Sequence, residues 1–151
     1  MAQENADIVI ALYQQWLDEW NGRNAAGMSG IFAENGTLIG FDGSQIIGRP
    51  ELLDVLDNIF SHHSTASYVA LIREIRLLSP GVAWLKADVG MVPAGKTDIN
   101  PALNAVQTMI ALKDEEGWKI SVFQNTPAAF HALPELGERM TAELREVLQD
   151  K

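Results

Sequence analysis

Apolar residues recur at helical spacing in the N-terminal part of the chain. Between residues 7 and 20 they fall every three to four positions, which predicts an amphipathic helix. A short second helix is predicted to follow Asn24, to bury Phe32 and to end at the turn-forming residues 34–36. A third helix begins with Pro50, in the first-turn position that proline favours.

From about residue 66 the apolar period changes to two, which predicts long strands. A later stripe of apolar residues, after Pro134, predicts a terminal helix. The predicted strands are residues 37–41 and 45–47 around the turn dipeptide Asp42-Gly43, then 68–78, 82–92, 104–113 and 118–125, with a surface loop at 93–103.

This order of elements predicts one α+β domain over residues 1–151, with a core of about 7–127 and a C-terminal helix of about 134–149. Long antiparallel strands follow the helices instead of alternating with them. A chain of this length can bury a single hydrophobic core. The sequence contains no repeat, low-complexity segment or second domain.

Strict alternation puts the even-numbered residues of 68–78 on one face and the odd-numbered residues on the other. The turn at 79–81 then sets Glu74 opposite Lys86 and Arg76 opposite Trp84, an ion pair and a cation–π pair. The second hairpin is apolar on both faces. One face must cover the helices and the other needs a second layer. We therefore predict a homodimer through the sheet, with the terminal helix as the alternative cover.

Charge and composition narrow the classes of partner. The net charge is −9, so a phosphate backbone or an anionic membrane surface is an unfavourable partner. The sequence has no Cys, which excludes disulfides and thiolate metal sites. No apolar run approaches the roughly 20 residues of a membrane span, and the N-terminus lacks a basic segment. We expect a cytoplasmic protein with no cofactor.

Short motifs spread over residues 7–126 form an ordered series. They are Trp16…Trp20-Asn21-Gly22-Arg23-Asn24, Ile31-Phe32-Ala33-Glu34-Asn35-Gly36, Phe41-Asp42-Gly43, Gly48-Arg49, Ile75-Arg76-Leu77…Pro80-Gly81-Val82-Ala83, and Gly117-Trp118-Lys119-Ile120…Phe123-Gln124-Asn125-Thr126. In order and spacing this series resembles nuclear-transport-factor-2-like proteins, in the SnoaL-like branch and its SgcJ/EcaC group. The resemblance implies a cystatin-like cone, in which a curved antiparallel sheet wraps on helices around an apolar pocket, and it implies frequent dimers.

The resemblance extends to ketosteroid isomerase but not to its catalytic residues. In an ungapped alignment the isomerase's acidic base falls on Gly40, its tyrosine on Trp16 and its acidic proton donor on Thr108. A steroid-isomerase mechanism of that kind is therefore rejected. The superfamily also contains polyketide cyclases, epoxide hydrolases, dehydratases and non-catalytic members, so the fold does not decide the function.

Asp88 and Lys86 are the candidate acid/base residues, because the same alignment puts them at pocket-lining strand positions of the isomerase. A carboxylate inside an apolar cone has a raised pKa and can shuttle a proton near neutral pH. The alternative is structural, with Lys86 paired to Glu74 on an open face. The adjacent His62 and His63 do not face the same way, so no metal is expected.

Other polar residues have two interpretations each. Arg49 could clamp a carboxylate at the pocket entrance or order the start of the third helix. Gln124 and Asn125 could orient a polar ligand group or bond to backbone where the strand ends. Asp42 could reach the pocket mouth or only form the turn. The candidate pocket walls, which could equally be ordinary core, are Trp16, Trp20, Phe41, Phe60 and Trp84, with Thr108 as a further ligand-binding position.

The sequence thus predicts a homodimeric cone with a mostly apolar pocket for a small organic molecule, and it leaves two functions open. One is cofactor-independent acid/base chemistry, of isomerase, cyclase or dehydratase type, on a polyketide-like or aromatic metabolite. Asp88 would move the proton, Lys86 or Arg49 would stabilise an oxyanion, and Gln124 or Asn125 would orient the substrate. The other is a non-catalytic binding or association module. Two ionisable side chains converging inside an open cavity would favour the enzyme.

Overall fold

A computed structural model describes residues 2–150, which fold into four α-helices and six strands. The elements are α1 (Ala2–Asn21), α2 (Ala25–Gly30), β1 (Phe32–Ile39), β2 (Gln45–Ile47), α3 (Arg49–His62), β3 (Ser67–Ser79), β4 (Val82–Val92), β5 (Ala105–Asp114), β6 (Gly117–Pro127) and α4 (Pro134–Gln149). One turn of 3₁₀-helix, Pro101–Leu103, interrupts the predicted loop. The α+β layout and the terminal helix are confirmed.

The second helix is shorter than predicted. Asn24 caps it, since its Oδ1 accepts from the Gly27 amide at 3.1 Å, but the helix ends at Gly30. Phe32 begins β1, where it pairs with Ile120 of β6. The prediction that Phe32 belongs to the helix was therefore wrong. Long-range strand pairing overrides the local helical pattern at this point.

The six strands form one sheet in the order β2-β1-β6-β5-β4-β3. The predicted hairpins are all present, including β1–β2, in which Thr37 pairs with Ile47. The sheet is mixed and not wholly antiparallel, because β1 lies parallel to β6. This pairing places the N-terminal hairpin beside the last strand of the sheet.

The helices cover the sheet from both sides. We call the side that packs against α1, α2 and α3 the inner face; it contains the main hydrophobic core. The opposite, outer face is covered in part by α4, whose Met140 and Leu144 pack with Ile99 in a second cluster. Gly90 of β4 allows this close approach, since a Cβ there would lie 3.1 Å from Ile99 and 3.2 Å from Leu144.

An irregularity at Arg73 changes the faces of β3. Ile72 pairs with Ala87 but Glu74 pairs with Lys86, so Arg73 is an extra residue on its strand. Such a bulge reverses the alternation of side chains. The predicted odd and even faces are therefore wrong for half of β3, where Tyr68 lies on the inner face and Glu74 on the outer. The predicted pairing of Glu74 with Lys86, like that of Arg76 with Trp84, is confirmed.

No helix in the described part of the chain has the length and apolar character needed to span a bilayer.

Candidate functional site

A pocket of about 290 Å³ lies between the helices and the inner face of the sheet. The hairpin β1–β2 forms its rim, and α1, α3 and the strands form its walls. Most of its wall is aromatic or aliphatic side chain. Its lining residues include Trp16, Trp20, Gly40, Phe41, Asp42, Ser44, Val55, Tyr68 and Asn125.

Stacked aromatic rings build one wall of the pocket. The Trp16 ring lies nearly parallel to that of Phe123, with centroids 4.1 Å apart. The Trp20 ring is also nearly parallel to Trp16, with centroids 6.3 Å apart. The Tyr68 ring is tilted against both indoles, at 5.4 and 5.5 Å. Phe60 packs edge-on behind Trp20 at 5.3 Å. This stack holds the two indoles in fixed orientations.

A chain of buried hydrogen bonds, which we call the floor of the pocket, supports the pocket wall at Asn125. The Tyr13 hydroxyl donates to Gln107 Oε1 at 2.6 Å, and Gln107 Nε2 donates to Asn125 Oδ1 at 2.8 Å. Gln107 is fully buried, and Asn125 is 7% exposed where it borders the pocket. Buried amides of this kind are stable only when their polar atoms are paired.

Tyr13, which is part of this floor, and Tyr68, which lines the pocket beside it, both keep their hydroxyl protons. Burial raises the pKa of Tyr68 well above its usual range, and hydrogen bonds with the side chains of Gln107 and Asn125 oppose the shift only in part. Burial is also the main cause of a still larger rise in the pKa of Tyr13, with smaller contributions from Tyr68 and Asp88. At neutral pH these phenols are hydrogen-bond donors and not bases.

Asp42 is the only carboxylate among the described residues that line the pocket. It lies on the rim, where its Oδ1 accepts from the Ser44 amide at 2.9 Å. Hydrogen bonds from the side chain and the backbone of Ser44 lower the pKa of Asp42. The group is exposed and ionised at neutral pH, so it gives the pocket a negative rim.

The structure brings four of the predicted site residues together. Trp16, Trp20, Phe41 and Asn125 line the pocket, and Phe60 supports it through Trp20. Two of the positions where the isomerase's catalytic residues would fall, Trp16 and Gly40, are also in its wall.

The two acid/base candidates lie on the outer face, away from the pocket. Asp88 Oδ2 accepts from Arg73 Nε at 2.7 Å, and the same guanidinium contacts Glu143 of α4 at 2.8 Å. Lys86 Nζ lies 3.7 Å from Glu74 Oε1. The pairing of Lys86 with Glu74 agrees with the structural alternative, but at Asp88 the face is partly covered by α4 and is not open.

The remaining candidates also lie outside the pocket. Lys86, Thr108 and Gln124 are neighbours in register across the outer face, and Trp84 lies one row away. Arg49, at the start of α3, borders a separate surface groove that also contains Glu34 and Lys119.

Sequence reasoning missed Tyr13, Tyr68 and Gln107. The signal for Gln107 was available, because this amide shares a strand face with Met109 and Ala111 and so stands alone among apolar side chains. Tyr68 was missed because the bulge at Arg73 places it on the inner face, opposite to Glu74. Within residues 2–150, no three His, Cys, Asp or Glu side chains are grouped to hold a metal.

Several solved structures share this fold. A protein of unknown function with a cystatin-like fold, from Nostoc punctiforme, superposes with a TM-score of 0.77 at 20% identity, covering 97% of this chain and 98% of its own. A ketosteroid isomerase-like protein from Erwinia carotovora superposes with a TM-score of 0.67 at 16% identity. The match covers 83% of this chain and 98% of that protein. A provisionally assigned calcium/calmodulin-dependent protein kinase type II association domain from Thiobacillus denitrificans superposes with a TM-score of 0.68 at 12% sequence identity. The match covers 78% of this chain and 92% of that domain. At these identities the likeness shows the fold alone.

A comparison with curated protein sequences gives no match. A family model described as the SnoaL-like domain matches residues 9–125. That range contains every residue of the pocket wall named above and ends before α4 (Pro134–Gln149). The chain therefore belongs to the SnoaL-like domain family.

Proposed function

We propose that the protein binds a small, uncharged and largely apolar organic molecule in the inner pocket. The observation that carries this proposal is the pocket itself, an aromatic cavity of about 290 Å³ that closes over a floor of buried phenol and amide groups. Apolar walls with a few convergent polar groups are typical of small-molecule sites. Tyr68 and Asn125 are the polar groups that would orient the ligand.

The geometry favours binding over acid/base catalysis. A general base must lie within hydrogen-bond reach of the proton it removes and must have a suitable pKa. Asp42 is a weak base because its pKa is lowered, and the Tyr68 phenol keeps its proton. Asp88 and Lys86 are engaged with Arg73 and Glu74 on the other side of the sheet. Among the described pocket-lining residues, no second ionisable side chain accompanies Asp42 at the rim.

The second part of the proposal is a homodimer through the outer face. Trp84, Ile110 and Val122 form a half-buried row across three neighbouring strands, and Leu112 beside it is 41% exposed. Since α4 packs mainly on β3 and β4, it leaves this row uncovered. An apolar row of this kind supports association with a second copy. Cytoplasmic location and membership of the SgcJ/EcaC group stay predictions.

Ligand binding is tested by titrating the ¹⁵N-labelled protein with 2-acetylnaphthalene, an uncharged two-ring compound. Amides of the β1–β2 rim and the Asn125 side chain should shift, while amides at Lys86 to Asp88 should not. Val55→Trp, which fills the pocket, should abolish the shifts. Asn58→Trp, on the exposed side of the same helix, should leave them intact. Absence of shifts at the rim, or equal binding by Val55→Trp, would overturn the proposal.

A further inference from the structure

The indole N–H of Trp16 has no hydrogen-bond acceptor within the protein. Trp16 is 1% exposed and lines the pocket. Its neighbour Trp20 is different, because Trp20 Nε1 donates to the Ala66 carbonyl at 2.9 Å. Among the buried side-chain nitrogens and oxygens of residues 2–150, Asn104 Oδ1 is the only other atom left without a partner. Unpaired buried donors are rare because they cost free energy, so this one calls for an explanation.

The packing around Trp16 prevents the ring from turning to find an acceptor. The indole is nearly parallel to the Phe123 ring, with centroids 4.1 Å apart and an interplanar angle of 14°, and to the Trp20 ring, at 6.3 Å and 11°. A rotation about the side-chain bonds would break both stacks. The N–H is therefore a donor whose direction is set before any ligand arrives.

A second donor borders the same space. The Tyr68 ring lies 5.4 Å from that of Trp16 and also lines the pocket. Burial keeps its hydroxyl protonated at neutral pH. Two aromatic side chains that line the pocket, Trp16 and Tyr68, thus each carry a hydrogen-bond donor.

Charge decides which acceptor suits these donors. The carboxylate of Asp42 lies on the rim, the chain carries a net charge of −9, and none of the described lining residues is cationic. An anionic ligand would be repelled at the rim and unpaired inside. A carbonyl or ether oxygen can accept the hydrogen bond without bringing a charge.

We infer that Trp16 is a specificity-determining residue, and that its N–H selects uncharged ligands that present a carbonyl or ether oxygen. The inference rests on the proposed function and deepens it. Trp16 distinguishes a ligand with this oxygen from a hydrocarbon of the same shape. A site built to satisfy a polar group discriminates in this way, because the analogue without the acceptor leaves the donor unpaired.

The experiment compares 2-acetylnaphthalene with 2-ethylnaphthalene, which has nearly the same shape but no acceptor. In ¹H–¹⁵N spectra, the Trp16 indole resonance is identified by its loss in Trp16→Phe. The ketone should move the Trp16 indole proton downfield, and the hydrocarbon should bind without this shift. The Trp20 indole proton, already bonded to Ala66, is the internal control and should respond equally to both.

An isosteric replacement isolates the N–H from the volume of the ring. With 3-benzothienylalanine at position 16, where sulfur replaces N–H, the preference for the ketone should fall about three- to tenfold. The same replacement at Trp84, which lies on the outer face away from the pocket, should leave the preference unchanged.

Three results distinguish a failure of the proposed Trp16 role from a failure of the pocket as a binding site. Equal affinity for ketone and hydrocarbon, or an unchanged preference after replacement at Trp16, would overturn the role of the N–H while leaving the pocket as a binding site. Failure of both probes to perturb any pocket resonance would overturn the proposed function, and this inference with it.

Discussion

The Tyr13 hydroxyl and Gln107 Oε1 are 2.6 Å apart, although the two residues are separated by 94 positions in the sequence. Their hydrogen bond joins the middle of α1 to the first part of β5. Gln107 continues the connection to Asn125 Oδ1 on β6 at 2.8 Å. The floor of the pocket is therefore one connected unit, in which each buried polar atom depends on its neighbour.

Replacement of the central amide should damage this unit more than replacement at its end. Gln107→Leu leaves both the Tyr13 hydroxyl and Asn125 Oδ1 without their partners, and should lower the free energy of unfolding by about 2 to 4 kcal/mol. Tyr13→Phe, the control, removes one donor and leaves one amide oxygen less satisfied, for a loss of about 1 kcal/mol. Urea denaturation measures both. Equal losses would contradict the central role of Gln107 in this unit.

Asp88 should behave as a structural residue. Asp88→Asn keeps the shape of the side chain but weakens its contact with Arg73, so the free energy of unfolding should fall by about 1 kcal/mol. Binding of 2-acetylnaphthalene should be unchanged, because the pocket lies on the other face. Thermal denaturation and the ligand titration are run on the same variant. Weakened binding at unchanged stability would instead support the acid/base hypothesis.

The attachment of α4 should depend on pH. A hydrogen bond from Arg73 is the main cause of the lowered pKa of Glu143, and one from Arg145 plays the same part for Asp98. A carboxyl group whose pKa is lower in the folded state stabilises that state above its unfolded pKa. The contribution is lost as the pH falls through the folded pKa. Amide exchange in α4 should therefore accelerate relative to β5 as the pH falls from about 5 to about 3.

The matched control removes both carboxylates from the α4 contacts. In the variant Glu143→Gln with Asp98→Asn, protection of α4 should already be reduced at neutral pH and should no longer change through the acid range. Added salt should weaken the effect in the native protein, because both pairs are exposed. A pH dependence that survives in the variant would assign it to other groups.

The proposed dimer predicts that a lysine in the apolar row of the outer face breaks the dimer, whereas a lysine at an exposed position elsewhere does not. Ile110→Lys puts an ammonium in the middle of the row formed with Trp84 and Val122, and should convert the dimer to monomer in sedimentation velocity. Ile47→Lys, at an exposed position on β2, is the control and should leave the mass unchanged. A native protein that sediments as a monomer at all concentrations would contradict the dimer.

Periodicity was sufficient to predict the elements of this fold, but not their faces. The strands β4, β5 and β6 alternate regularly enough for their bounds to follow from the sequence within a few residues. In β3 the bulge at Arg73 moves Tyr68 to the inner face, and no local signal marks this extra residue. A one-residue irregularity reverses every assignment before it.

The candidate site depended on long-range pairing, which the sequence does not display. Trp16, Trp20, Phe41 and Asn125, whose positions follow the family pattern, lie in the pocket wall, and their role in ligand binding stays a prediction. Asp88 and Lys86 were chosen because the ungapped alignment placed them at pocket-lining strand positions, whereas the strand register puts both on the outer face. Burial and pairing in three dimensions, which periodicity leaves open, decide whether a charged group lines a cavity or supports a surface.

The parallel pairing of β1 with β6 sets the order in which the chain can reach its native state. Trp16 meets Phe123 at 4.1 Å only when the sixth strand is in place, so α1 leaves the ribosome long before its own apolar stripe can be covered. During synthesis the two indoles are exposed to other chains and to chaperones. The architecture that forms the pocket therefore delays its closure until the sixth strand has been translated, and folding is expected to be slow for a domain of this size.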